Sequence, residues 1–183
     1  MILTALQQYS FCLIRHGETI ANRDGVIAGR LDVPLTDFGR DQARALQRAP
    51  WPVHYRLFCS PKERARETCH LAFPDQYVEQ VNDLSERNWG IFEGQPIANS
   101  PARDGHPEKG EDWRDFLHRT GNALVHCCQA ADNNLPIIVC HSGVIRASRI
   151  LTGQTSTGSR PPNAKPLIFR WNGNRHIEEI YRP

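Results

Sequence analysis

The sequence predicts an α/β fold: a three-layer sandwich with a mainly parallel sheet, helices on both faces and a C-terminal β-hairpin. Three observations predict it. Strand-like runs alternate with helical patterns along the 183 residues, the signature of a parallel sheet covered on both sides. Three cysteines end apolar runs that read as buried strands. The last two runs flank Asn172-Gly173, a hairpin signal. A chain of this length has room for one domain of ordinary size, spanning 1–183. It should bury about 70% of its unfolded surface, so no disulfide or structural metal is needed to hold it.

The elements follow in order. Phe11–Arg15 is the first strand-like run. Thr36 can then cap a helix with Asp37 in its first turn; Ala43, Leu46 and Gln47 carry it toward Ala49, and Pro50 and Pro52 stop it. Arg56–Cys59 is the second run, and Ser60-Pro61-Lys62-Glu63 after it reads as a capping box with proline at the first helical position. Tyr77–Val81 is the third run. The longest helix should begin near Glu111 and reach Ala131, with Trp113, Phe116, Leu117, Leu124 and Val125 on its inner face. Pro136–Cys140 is the fourth run, followed by a helix ending at Gly153. Leu167–Trp171 and His176–Tyr181 close the chain. Asn88–Gly110 and Gln154–Pro166 show no period and read as surface loops.

Apolar residues make up 39% and charged residues 23%, which speaks against disorder. The net charge of +2 excludes a chain-wide basic field, so neither nucleic acid nor an anionic membrane is an expected partner. No run approaches the eighteen or so apolar residues of a membrane span, and Met1–Ser10 lacks a basic leader, so a cytoplasmic location is expected. The six cysteines form no C-x-x-C pair and read as small core residues in a reducing compartment. His118, His126, Cys127 and Cys128 lack a recognised ligand spacing and read as a packed helix face, so no metal site and no cofactor are expected. Nothing in the sequence sets the oligomeric state.

In open α/β sheets ligands bind beyond the carboxyl ends of the strands. Three such positions here carry one kind of chemistry: Arg15-His16-Gly17, Ser60-Pro61-Lys62-Glu63-Arg64 and His141-Ser142-Gly143. Each enters a helix or tight turn whose free N–H groups favour an anion. Two guanidiniums and two imidazoles at one edge suit a phosphate dianion. An imidazole held through one ring nitrogen can attack phosphorus through the other, and His16, next to Gly17, suits that role. The leaving alkoxide needs a proton, which a carboxyl kept protonated by apolar neighbours or an adjacent anion can deliver. Glu86 follows the third run, with Trp89 and Phe92 close by to restrict water. Arg15, Arg64 and His141 could stabilise the equatorial oxygens without Mg²⁺.

These segments resemble the histidine phosphatase, or phosphoglycerate mutase-like, superfamily. The resemblance rests on Leu13–Thr19 with Asn22, on Asp32-x-Pro34-Leu35-Thr36-x-x-Gly39 with Gln42-Ala43, and on Ser60-Pro61-x-x-Arg64-Ala65-x-x-Thr68. It continues through Leu84-x-Glu86 with Gly90 and Glu93-Gly94, and Val139-x-His141-Ser142-Gly143 with Ile145-Arg146. It implies that His16 is phosphorylated, that Arg15, Arg64 and His141 hold the phosphoryl group, that Glu86 donates the proton, and that Asn22 lies at the pocket. Ser142 joins the expected substrate contacts. The cofactor-dependent mutases of the superfamily carry a tyrosine where Trp89 stands and a long basic insertion after the acid. This chain lacks that insertion, so hydrolysis of a small phosphomonoester is expected, with mutase-type transfer as the alternative. Arg103, His106 and Lys109 are the nearest cations for substrate recognition.

Two further readings compete. Cys140-His141-Ser142-Gly143-Val144-Ile145-Arg146 fits the C-x-x-G-x-x-R cradle of cysteine-dependent phosphatases, with Cys140 as nucleophile, but leaves Arg15-His16-Gly17 and Arg64 unexplained. A non-catalytic phosphate-binding module would use the same cations, yet gains nothing from Glu86. Ser60 reads as a helix cap rather than a nucleophile.

Overall fold

The computed structural model describes residues 5–181; the first four residues of the expected leaderless N-terminus lie outside them. Six strands form one sheet in the order β3-β2-β4-β1-β5-β6. They are β1 (Phe11–Arg15), β2 (Tyr55–Cys59), β3 (Val78–Gln80), β4 (Leu135–Cys140), β5 (Pro166–Trp171) and β6 (His176–Ile180). β1 to β4 run parallel, while β5 and β6 pair antiparallel beside β1. The third strand is shorter than its apolar run, because as the sheet's edge it leaves Tyr77 78% exposed.

Five helices lie wholly among the described residues: α1 (Ile20–Arg23), α2 (Asp37–Ala45), α3 (Glu63–Ala72), α4 (Trp113–Ala130) and α5 (Ser142–Leu151). Successive strand residues point to opposite faces, so each strand feeds two cores. Phe11, Leu13, Phe58 and Ile138 pack with Phe116, Leu124 and Ile145 of α4 and α5. Cys12, Ile14, Leu57 and Val139 pack with Ala65, Cys69 and Ala72 of α3. This is the expected three-layer sandwich. All six cysteines are buried and unbridged, with Cys127 and Cys128 in the core beneath α4 and His126 bonded to Glu79 instead. Among the described residues no helix is long and apolar enough to cross a membrane, and no cluster of His, Cys, Asp and Glu could hold a metal ion.

Helix ends follow local chemistry. Thr36 Oγ1 accepts from Gly39 N at 2.9 Å, as expected, and α2 ends in a 3₁₀ turn over Leu46–Arg48 before the prolines. Gly153 takes φ +93° just past α5, a conformation that glycine adopts without steric cost. The hairpin turn comprises the four residues 172–175, in which Asn172 Oδ1 accepts from the amides of Asn174 and Arg175. One expectation fails: α3 starts at Glu63 with Lys62 as an N-cap that makes no side-chain bond, so Ser60 is not its cap. Ser60 Oγ accepts only weakly from Lys62 N, at 3.3 Å, and turns instead to His141. The working capping box is Thr19 with Asn22, at the start of α1.

Candidate active site

Sheet register sets the site. Arg15 pairs with Cys140, and the ladder runs one step further, with His16 N donating to Cys140 O at 3.0 Å and Ser60 N to Val139 O at 3.0 Å. The segments leaving β1, β2 and β4 therefore emerge side by side. The His16 and His141 rings lie 5.3 Å apart, inclined at 59°.

His16 is buried, and its Nδ1 lies 2.7 Å from Gly17 O. A carbonyl accepts only, so Nδ1 carries the proton and Nε2 keeps its lone pair. Gly17 N in turn donates to Thr68 Oγ1 at 2.9 Å, and Asn163 Nδ2 donates to His16 O at 2.8 Å. Gly17 cannot carry a side chain, since a Cβ there would meet Gly39 O at 2.3 Å. Burial, then the charges of Arg64 and Arg15, holds the imidazole well below its usual pKa, leaving it neutral.

His141 is fully buried, with Nε2 2.7 Å from Ser60 Oγ and Nδ1 without a partner. Burial, followed by Arg64 and His16, pulls its pKa down as well. Arg64, 1% exposed, gives its fork to the backbone: Nη1 to Leu31 O at 2.8 Å and Nη2 to Gly29 O at 2.9 Å. Arg15 donates through Nη1 to Pro161 O, while its buried Nε has no partner. Burial and the neighbouring Arg160 push Arg15 down to about 9, still a cation at neutral pH.

A cavity of about 160 Å³ opens here, lined by Arg15, His16, Asn22, Glu86 and Ser142 among others. Arg64 and His141 stand behind its wall rather than on it. Glu86 is fixed by two amides, Arg87 N to Oε1 and Gly143 N to Oε2, each at 2.8 Å. Asn22 Oδ1 accepts from Asn163 Nδ2 at 3.0 Å. Trp89 lines the cavity and Phe92 does not. Of the three expected recognition cations only Arg103 reaches it; Lys109 lines a separate surface groove, and the largely exposed His106 faces Asp112. Arg146 and Arg160 line it too, a role the sequence reading did not assign them. Arg146 stood in the fourth-strand motif as a signal; Arg160 gave none. Cys140 has no exposed surface, packs in the core under α4 and α5, and has its thiol pushed up by burial, so it does not fit the role of a thiolate nucleophile.

The long loop before α4 is shaped by charge. Fully buried Arg87 donates to the carbonyls of Arg103, Gly105 and Glu111 and lies 4.8 Å over Trp89. The Glu93 carboxylate accepts from four amides, those of Gly29, Arg30, Leu31 and Trp89. The 28–31 segment is thus gripped by its carbonyls from Arg64 and by its amides from Glu93.

Residues 11–175 match the Histidine phosphatase superfamily (branch 1). The chain is 29% identical over 161 residues to the adenosylcobalamin/alpha-ribazole phosphatase of Salmonella typhimurium, covering 76% of this chain and 78% of that one. It is 34% identical over 111 residues to a 2,3-bisphosphoglycerate-dependent phosphoglycerate mutase of Gloeobacter violaceus, covering 57% and 50%. Its fold is similar to the crystal structure of TTHB049 from Thermus thermophilus, at 27% identity and a TM-score of 0.76 over 94% of this chain and all of that one. With the match running from β1 to the hairpin turn, the chain belongs to the histidine phosphatase superfamily, branch 1.

Proposed function

We propose that this chain hydrolyses a small phosphomonoester through a phosphohistidine on His16, using guanidiniums rather than a metal ion for charge. The enzyme class, a phosphoric monoester hydrolase, comes with the family and its phosphatase relatives. The route and the substrate are the proposal.

One observation carries it. The Nδ1–H···O=C bond from His16 to Gly17 fixes the tautomer in which Nε2 is nucleophilic, on a residue sharing a cavity with Arg15 and Glu86. Nε2 attacks phosphorus as the P–O bond to the leaving group breaks, and Glu86 gives that oxygen a proton. Water then attacks the phosphohistidine, Glu86 takes its proton, the P–N bond breaks, and phosphate leaves with His16 neutral again. Arg15, with Arg64 close behind, offsets the charge on the equatorial oxygens. Hydrolysis is favoured over mutase-type transfer because the chain lacks the long insertion that follows the acid in the cofactor-dependent mutases it resembles.

The test is a rapid-quench labelling experiment in EDTA with a ³²P-phosphomonoester. An acid-labile phosphoenzyme should form in the parent and in Cys140→Ser and be absent in His16→Ala. Loss of label only in the cysteine variant would overturn the assignment, and failure to hydrolyse p-nitrophenyl phosphate at all would favour a binding module.

A further inference from the structure

Glu86 stands in a stretch, residues 85–89, that belongs to no helix or strand, so no ladder of backbone bonds holds the acid in place. Its carboxylate is met by two amides, yet one of them, Arg87 N, lies in the same stretch. The main chain around it is held instead by a side chain of α4, 33 residues downstream.

Arg119 gives all five of its N–H groups to this region. Nη1 donates to Asp83 O at 2.7 Å and to Ser85 O at 2.8 Å, and Nη2 reaches Glu86 O at 3.3 Å. Nε and Nη2 also fork onto the Glu111 carboxylate at 2.5 and 2.9 Å. Glu111 in turn grips the residues just past the acid. Its Oε2 accepts from Asn88 N at 3.3 Å, its amide donates to Asn88 O at 2.9 Å, and its carbonyl accepts from Arg87 Nε at 3.0 Å. The acid is thus bracketed, at 83–86 by the cation and at 87–88 by the cation's partner. Neither Arg119 nor Glu111 lines the cavity.

An ordinary ion pair near the surface adds little beyond a small gain in stability. Two features set this one apart. Three carbonyls within four residues converge on one guanidinium, and one of them is the acid's own. Leu84, between them, is fully buried in the core that α4 also builds, so loop and helix are packed as one body.

We propose that Arg119, locked to Glu111, is a positioning residue for proton transfer: it sets where Glu86 meets the leaving oxygen. It acts through Glu86, and so governs the proton given to the leaving group and not the grip on phosphate. This rests on the acid role of Glu86 proposed above.

The test compares kcat/KM for phenyl phosphate and p-nitrophenyl phosphate, which differ in the basicity of one leaving oxygen. That constant reads only the steps up to departure of the leaving group, so later hydrolysis of the phosphohistidine does not enter it. In Arg119→Ala, phenyl phosphate should lose about 10²-fold, the scale of a 1 Å misplacement, and p-nitrophenyl phosphate less than about threefold. Inhibition by inorganic phosphate should be unchanged. Arg119→Lys keeps the charge without the fork and should recover part of the loss, and Glu111→Gln should show the same split in weaker form. A fold weakened without misplacing the acid lowers both substrates alike, because it only scales the amount of active enzyme. If Arg119→Ala does not fold, the lysine and glutamine variants carry the test. Equal losses on both substrates, or no loss in any variant, overturn the positioning role; so does full recovery with lysine, which would make the effect one of charge. Glu86→Gln, run in parallel, keeps the two readings apart. If it splits the substrates and the Arg119 variants do not, the positioning role fails and the acid role stands. If it shows no split either, the acid role has failed and the positioning role with it.

Discussion

Gly143→Ala tests the role proposed for Glu86 while leaving the His16 and Glu86 side chains chemically unchanged. Gly143 lies in the first turn of α5, where its amide donates to Glu86 Oε2 at 2.8 Å. An added Cβ would sit 2.0 Å from Oε1 and 2.9 Å from the carboxyl carbon, against a floor near 3.0 Å for such contacts. The carboxylate must retreat by about 1 Å or lose its amide. Displacement on that scale can cost about 10²-fold in rate, within the 10²–10⁴ that a positioned acid contributes. Stability should move far less. Alanine gains about 1 kcal/mol of helix propensity over glycine, against about 1.5–3 kcal/mol for a strained charge-assisted bond. The assay is pre-steady-state turnover of two substrates. With an alkyl phosphate, whose leaving oxygen needs a proton, the first step should slow about 10²-fold. With p-nitrophenyl phosphate, whose leaving group departs unaided, the first step should survive and the second should lag, giving a burst of nitrophenolate. Equal losses on both substrates without a burst, or no loss at all, would refute Glu86 as the proton carrier.

Three further outcomes follow from the same contacts. Both active-site imidazoles are held neutral in the fold, so the unfolded chain binds more protons below pH 6.5 and stability should fall with acid. Each histidine contributes up to about 1.4 kcal/mol per pH unit between pH 6.5 and 5, and urea midpoints should show it. Arg64→Lys loses the fork that holds Leu31 O and Gly29 O, and an ammonium cannot span both, so thermal unfolding should show a loss of about 2–4 kcal/mol alongside weakened phosphate binding. Ser60→Ala strips His141 of its one side-chain partner, so ¹⁵N imidazole shifts should show mixed tautomers and kcat/KM should drop about tenfold; an unchanged spectrum would remove Ser60 from the site.

The sheet was legible because its strands mark themselves as apolar runs, and part of the candidate site because its residues directly follow them. His16, Arg15 and His141 stand at the ends of such runs or one residue beyond, and the topology brings those ends together. Ser60 was misread because Ser-Pro-x-Glu carries the local grammar of a helix start, whereas its real partner stands 81 residues away in the neighbouring strand segment. No local pattern encodes that pairing. The loops were illegible for a related reason: Glu93 and Arg87 organise them through backbone groups, and a backbone amide or carbonyl looks the same at every residue. Arg160 is brought to the cavity by its neighbours' carbonyls, so its own identity gave no clue to its position.

The setting of His16 depends on residues made long after it. Asn163, whose amide holds His16 O, lies 147 residues downstream, and Pro161 O receives Arg15 across 146. A nascent chain that has already laid down β1 to β4 still lacks both anchors and the β5 strand that pairs with β1. During synthesis, therefore, the pocket stays unfinished until residues 161–171 have been made, and a copy truncated before them should possess the motif residues yet be unable to release phosphate in the cell.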